Sequence, residues 1–220
     1  MTTSDASVPL KNLYIVSAGG FAREVFWLAN YAASLDGRYR VAGFLDDRPH
    51  LLDGLNYPVP IVSSVEDFEP GERDFFILPI ASYQAKRHYR DLLLKKNADI
   101  GNMFHPHVAM TPHTKFGRGV IIAHNVSIAC ETVIGDLVCI NSNVAIGHDV
   151  RIDEGCHINS FVFIGGGSHI EAGVTIHPHA VVLPNSHVKA GSTVGAGSVV
   201  LKTVKENQTV FGVPALPVYT

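Results

Sequence analysis

Between residues 110 and 200 every sixth position is apolar: Met110, Phe116, Ile122, Ile128, Ile134, Ile140, Ile146, Ile152, Ile158, Ile164, Ile170, Ile176, Val182, Val188, Val194 and Val200. Four residues after most of these stands a small or β-branched residue, from Val126, Thr132 and Val138 through Cys156 to Ser192 and Ser198. A period of six fits neither an amphipathic helix nor a half-buried strand. It marks a parallel β-helix built from hexapeptides. Three hexads close one triangular coil, so residues eighteen apart stack. The aliphatic residues fill the axis and the small ones fit the corners. The expectation is about five coils, a prism on the order of 25 Å long at the usual strand spacing. Gln208 to Thr220 leave the beat and are expected to pack across it.

Residues 11–102 do not follow that beat. Leu13–Val16 reads as a strand, Ser17-Ala18-Gly19-Gly20-Phe21 as a turn, and Ala22–Ala29 as a helix. Val41–Leu45, ending at Asp46-Asp47, and Phe75–Leu78 read as further strands, and Tyr83–Lys96 as an amphipathic helix with Tyr89, Leu92 and Leu93 on one side. Strands alternating with helices predict a small parallel α/β domain of Rossmann-like type. The expected division is a first domain over 1–102 and a β-helix with a C-terminal tail over 103–220.

Composition excludes several classes. The net charge is −3, charged residues are 17%, and Lys and Arg do not cluster, so no nucleic-acid footprint or basic membrane patch is expected. No apolar run reaches the roughly 18 residues of a membrane span. The start, MTTSDASVPLKN, lacks the charged and apolar regions of a secretory signal, and Cys130, Cys139 and Cys156 form no CxxC pair. Reduced thiols and a cytoplasmic location are expected.

Histidine is abundant, at 12 residues. His105/His107 and His177/His179 are HxH pairs that can bind metal, but such pairs are also common on surface turns. His169 and His187 fall in one stacking column. Zinc-binding β-helix enzymes of the gamma-carbonic-anhydrase type use two histidines five apart, a spacing absent here, so no metal is expected. His148 differs. It lies in Ile146-Gly147-His148-Asp149-Val150, at a corner, with a carboxylate directly after it. Imidazole accepts a proton near neutral pH, and a carboxylate can orient the ring and stabilise its cation. The competing reading is an ordinary turn histidine. Asn141, seven residues earlier, can hydrogen-bond a substrate or stack in a ladder with Asn159.

Ile140-Asn141, then Gly147-His148-Asp149, with His157 nine residues after His148, resembles the hexapeptide acyltransferases that modify bacterial sugars, including nucleotide-sugar N-acetyltransferases and sialic acid O-acetyltransferase relatives. The likeness extends to the strand and glycine turn of Ser17–Val25, to Gly43–Asp47, and to Gly212-Val213-Pro214-Ala215. It implies a left-handed β-helix and a homotrimer with active sites between subunits, using acetyl-CoA as co-substrate. His148 would be the general base, Asp149 its orienting partner, and Asn141 a positioner of the acceptor. His157, Gly165, Gly166, Gly167, Gly195, Ala196 and Gly197 would lie along CoA. Gly19, Gly20, Phe21, Asp46 and Asp47 would contact a nucleotide-linked amino sugar, of which a 4-amino-4,6-dideoxy sugar is the expected acceptor. O-acetylation of a sugar such as sialic acid and a non-catalytic trimeric scaffold are the alternatives. A dehydrogenase is not expected, because Ser17–Ala22 keeps one glycine of GxGxxG; Cys139 is expected to pack.

Four departures bear on substrate. The family turn is often Gly-x-Gly-Gly-His-Gly, where this chain has Ser17, Phe21 and Ala22 for the first glycine, the histidine and the last glycine. Leu216 replaces a common basic residue after Pro-Ala. Phe161 and Phe163 are bulky where relatives carry small residues.

Overall fold

The computed structural model describes residues 10–218. The chain divides into two compact units: residues to Ile80 with His88–Gly101, and Ala81–Arg87 with Asn102 onward.

In the first unit, β1 (Lys11–Val16), β2 (Tyr39–Leu45), β3 (Ile61–Ser63), β4 (Asp74–Ile77) and β5 (Asp99–Ile100) form a parallel sheet in the order β3-β2-β1-β4-β5. Helix α1 (Gly20–Asp36) buries Ala22, Val25, Phe26, Ala29 and Ala32, a stripe at helical spacing. Phe26 meets Phe44 of β2 at 5.4 Å and Tyr57 edge-on at 5.3 Å. Burying a side chain of that size contributes about 1.5–3 kcal/mol. Gly37 ends α1 in the left-handed conformation, its N–H donating to Ala33 O. β3 and β5 were not expected from the sequence: three and two residues are too short to show alternation.

The second unit is a parallel β-helix. Its two-residue strands form three sheets whose partners lie eighteen apart: Ile140 pairs with Ile158, and Ile158 with Ile176. The inward aliphatic column is buried throughout from Ile122 to Val200, and the small residues, Thr132, Ser168, Ser192 and Ser198 among them, are buried beside it. Between strands the chain turns on residues with positive φ at six-residue intervals: Asn125, Glu131, Leu137, Asn143, Asp149, Gly155, Phe161, Gly167 and Gly173. The left-handed conformation at each corner suits Gly, Asn and Asp, so it imposes the period alongside core filling.

The coils extend further than the apolar beat. One sheet runs in parallel from Met103–Phe104 to Thr209–Phe211, seven strands and so six coils. The last step is sixteen residues rather than eighteen: Thr193 pairs with Thr209 and Val188 with Val204. That deletion hides Val204 and Val210 from a six-residue search, although both are buried. The expectation that the tail leaves the prism at Gln208 is corrected accordingly. Thr209–Phe211 still belongs to the ladder, and only Leu216–Pro217 turns back, antiparallel to it. Residues beyond Val218 lie outside the described residues.

Helix α2 (Tyr83–Lys95) begins with residues that group with the coils. The Tyr83 ring covers Gly155 and Gly173, where a Cβ would lie 2.1 and 2.5 Å from its carbons. Lys86 is fully buried. A lysine on the same stripe as Leu93 reads from sequence as a solvated charge; burial of its stem against the coils makes it interior. No described helix is long and apolar enough to cross a membrane.

Candidate active site

His148 and Asp149 form one corner. Ile146 points inward and is buried, and Asp149 takes φ 55° with its N–H donating to Cys130 O at 3.0 Å. This backbone fixes the direction of both side chains. His148 Nδ1 lies 2.7 Å from Asp149 Oδ2. A carboxylate only accepts, so Nδ1 donates this bond and Nε2 is the ring nitrogen turned away from Asp149. Both side chains are about two-thirds exposed, at 66% and 65%. The pair therefore orients the ring and adds little stability.

One coil on, Gly166 lies beneath the ring: a Cβ there would be 2.8 Å from His148 Nε2 and 2.9 Å from Cε1. Gly147 meets the Gly166 backbone in the same way, at 2.5 Å, and Gly165 meets Pro184 N at 2.5 Å. Gly167 has φ 69°. The glycine triplet is thus demanded by stacking within the protein, and its middle member makes room for the imidazole.

Asn141 Nδ2 donates to Asn159 Oδ1 at 3.4 Å, and Asn159 Nδ2 to Ile176 O at 3.0 Å. The ladder considered from sequence is present. His157 is buried, 5% exposed, on the strand between Cys139 and Thr175. Burial first, and then the Lys86 ammonium, lower its pKa to about 4; a hydrogen bond with Asn159 opposes them. His157 is neutral at physiological pH. Gly195 lies under the Phe211 ring, whereas Ala196 and Gly197 are exposed and Gly197 has open space above it. Phe161, in a left-handed corner, stacks on His179 at 4.8 Å. Phe163 and Leu216 are exposed.

In the first unit, Ser17 takes φ 80°, a glycine-favoured conformation where the resembled turn has glycine. Its Oγ accepts Gly19 N–H at 3.1 Å. Gly20 opens α1, whose first turn has no side-chain cap and no acidic residue. Asp46 is buried and wholly engaged, accepting Ala18 N–H at 2.8 Å and the Arg48 amide, Nε and Nη2. Burial opposes its ionisation, but these donors outweigh it and hold the carboxyl below its ordinary range. Asp46 thus pins the glycine turn. Asp47 instead accepts from the Tyr89 hydroxyl at 3.2 Å. Ser17, Leu45, Asp46, Asp47, Arg48, Ile80 and Tyr89 line a cleft of about 250 Å³ at the carboxyl ends of the strands, where open α/β sheets bind ligands. A larger cleft of about 540 Å³ lies at the opposite strand ends, around Asn12, Arg40 and Asp74. Phe21 is half-buried on α1 and does not line the first cleft.

Cys130 is exposed, and several other chemistry-bearing residues are packed or paired. Burial pushes the Cys156 thiol up to about 12, and Cys139 is buried. His169, Glu171 and His187 form the group among the described residues whose possible ligand atoms lie within 4.8 Å of one another. Each of these imidazoles already pairs with a carboxylate, His169 with Asp153 and His187 with Glu171. Lys86 is the residue the sequence reading missed; its only signal was a position on the buried stripe of α2.

Two family models match this chain: residues 12–91 match the PglD N-terminal domain, and residues 167–202 the bacterial transferase hexapeptide (six repeats). The second unit therefore carries hexapeptide repeats on a parallel β-helix fold. Among solved structures it is similar to GDP-perosamine N-acetyl transferase from Caulobacter crescentus, seen as a histidine-to-alanine mutant in complex with CoA and GDP-perosamine, at 23% identity over 98% of this chain and 100% of that one, with a TM-score of 0.86. It is also similar to the acetyltransferase domain of PglB from Neisseria gonorrhoeae in complex with acetyl coenzyme A (24% identity; 96% and 100% covered; TM-score 0.73) and to WeeI from Acinetobacter baumannii (22%; 94% and 99%; 0.68). No curated protein matches the sequence.

Proposed function

We propose that this protein is an acetyl-CoA-dependent N-acetyltransferase acting on a nucleotide-linked amino sugar, with a 4-amino-4,6-dideoxy sugar as acceptor. The observation that carries the reading is the His148–Asp149 pair, held at 2.7 Å with Nε2 outward over Gly166. It lies on a fold shared with enzymes seen bound to CoA, acetyl coenzyme A and GDP-perosamine.

In this mechanism the acceptor amine attacks the thioester carbonyl and a C–N bond forms. His148 Nε2 takes the amine proton, and Asp149 stabilises the imidazolium. The tetrahedral intermediate collapses with cleavage of the C–S bond, and the proton passes from His148 to the departing thiolate. No acetyl-enzyme forms: Cys139 and Cys156 are buried, and the Glu131 carboxylate beside the exposed Cys130 raises its pKa and keeps it a thiol. Buried His157 braces Asn159, Asn141 in the same ladder positions the acceptor, and exposed Ala196 and Gly197 admit the pantetheine arm. The uncapped start of α1 at Gly19-Gly20, with the Arg48 guanidinium, receives the nucleotide diphosphate, and Asp47 accepts from a hydroxyl of the nucleotide.

A ring two-thirds exposed in the single chain is poorly screened from water. We take the working form as a homotrimer in which a neighbouring coil face closes the site. The test is CoA release from acetyl-CoA against UDP-, GDP- and dTDP-linked 4-amino sugars, with sialic acid and sialyl nucleotides included. Release with one amino sugar, lost in His148→Ala, supports the proposal. Release with hydroxyl acceptors alone replaces it with O-acetylation, and silence across the panel favours a scaffold.

A further inference from the structure

His169 and His187 lie on neighbouring strands of one sheet of the β-helix and pair directly across its ladder. Their rings stack nearly parallel, 4.9 Å between centroids and 13° between planes. Each ring meets a carboxylate from the coil before. His169 Nε2 lies 2.7 Å from Asp153 Oδ2, and His187 Nε2 lies 2.5 Å from Glu171 Oε1. The second oxygen of Glu171 accepts the Ala190 N–H at 2.9 Å, and Arg151 Nε donates to Asp153 Oδ1 at 2.7 Å. The side chains of His169, His187 and Glu171 are 35%, 38% and 28% exposed, so the group is shielded yet open to a small ion. Their possible ligand atoms all lie within 4.8 Å of one another. Neither an HxH pair nor a five-residue spacing marks this group, because its members meet by stacking.

We propose that His169, His187 and Glu171 bind one divalent cation of the zinc class, which clamps two neighbouring coils of the β-helix together. As two ion pairs, the cluster would stack one imidazolium on another, and like charges at that distance repel. With both rings neutral, Arg151 still balances Asp153, but Glu171 keeps its negative charge within the cluster. A divalent ion removes both difficulties. It takes neutral imidazoles and a carboxylate as ligands, and it supplies the charge opposite Glu171. Two nitrogens and one oxygen suit zinc, copper or nickel, whereas magnesium and calcium take oxygen ligands. A tetrahedral shell sets its donors about 3.4 Å apart. The present donors, 2.5 Å apart for His187 and Glu171 and all within 4.8 Å, reach that shell by side-chain shifts of about 1 Å. The ion displaces the proton shared by His187 Nε2 and Glu171 Oε1, and water takes the fourth position. The Ala190 N–H fixes the ligating carboxylate from outside. The ion takes no part in acyl transfer.

The test is calorimetric titration of the chelator-treated, full-length protein with zinc, alongside thermal unfolding with zinc or magnesium added. One zinc ion should bind per chain, and zinc but not magnesium should raise the unfolding midpoint. His169→Gln, His187→Gln and Glu171→Gln should each weaken zinc binding by about tenfold or more, with a zinc-free midpoint near that of wild type. His107→Gln and His179→Gln, which break the two HxH pairs, should leave the affinity unchanged. If a histidine variant does not fold, Glu171→Gln, which keeps the side-chain shape, makes the same test. Failure of the folded wild type to bind zinc overturns the site and leaves two ion pairs. Binding that survives all three ligand variants, or that is lost in an HxH variant instead, overturns it as well. None of these outcomes depends on CoA release, so the cation site and the acetyltransferase reading stand or fall separately.

Discussion

The His148 ring occupies the space that a side chain at Gly166 would fill, with only 2.8 Å between Nε2 and the position of a Cβ. Gly166→Ala should therefore displace the imidazole without disturbing the buried column. The expected outcome is a 10- to 100-fold fall in kcat/KM, roughly the lower part of what a positioned base contributes, with a melting temperature near that of wild type. An unchanged rate would show that the ring has another productive position.

Asp149 holds the His148 Nδ1 proton and so leaves Nε2 as the acceptor. Asp149→Asn keeps the shape but can donate to Nδ1, favouring the wrong tautomer. We expect kcat to fall by roughly 10²-fold with little change in KM for acetyl-CoA. A KM effect with kcat intact would assign Asp149 to binding instead.

His157 gives the fold an acid limb of stability. Its pKa falls from 6.5 to about 4 on folding, so between those values the unfolded chain binds more protons than the folded one. Stability is then full above about pH 6.5 and is lost as the pH falls toward 4. The loss is at most about 3 kcal/mol at 1.36 kcal/mol per unit. Urea unfolding at pH 7 and pH 4.5 should differ less in His157→Gln than in wild type; equal differences would refute the assignment.

Asp46 pins the glycine turn to β2 through Ala18 and Arg48. Asp46→Ala leaves the Ala18 N–H without this acceptor, at a cost of about 1–3 kcal/mol. It should also weaken binding of the nucleotide-linked acceptor without changing KM for acetyl-CoA. Calorimetric titration with the acceptor and a denaturant melt check the two effects separately.

Gly155 combines a positive φ with a Cβ position 2.1 Å from the Tyr83 ring. Gly155→Ala should destabilise the protein by more than the roughly 1 kcal/mol of the left-handed conformation alone, because the ring must also move. Adding Tyr83→Ala should recover part of that loss, a non-additivity measurable in a double-mutant cycle. Strict additivity would mean that the ring does not press on the glycine.

Much of this was legible in the residues. The β-helix could be read because each hexad states the same requirement again: one apolar residue for the axis, one small residue beside it, one left-handed corner. The strands at Leu13–Val16, Val41–Leu45 and Phe75–Leu78 could be read because each is a buried apolar run. Likewise, His148 and Asp149 are neighbours in sequence, so their pairing at one corner is a local fact. The sixteen-residue last coil was not legible, because two missing residues shift the register and only ladder pairing shows that the stacking continues.

The sequence by itself determined the repeat, the α/β unit before it and the identity of the candidate base, since those depend on local spacing. The tertiary structure alone decided which glycine makes room for His148, that Asp46 pins a turn while Asp47 pairs with Tyr89, and that Lys86 lies buried against three carbonyls beside a neutral His157. Those relationships join residues 18 to 70 positions apart. Stacking and burial create them, and neither propensity nor spacing along the chain encodes which partners will meet.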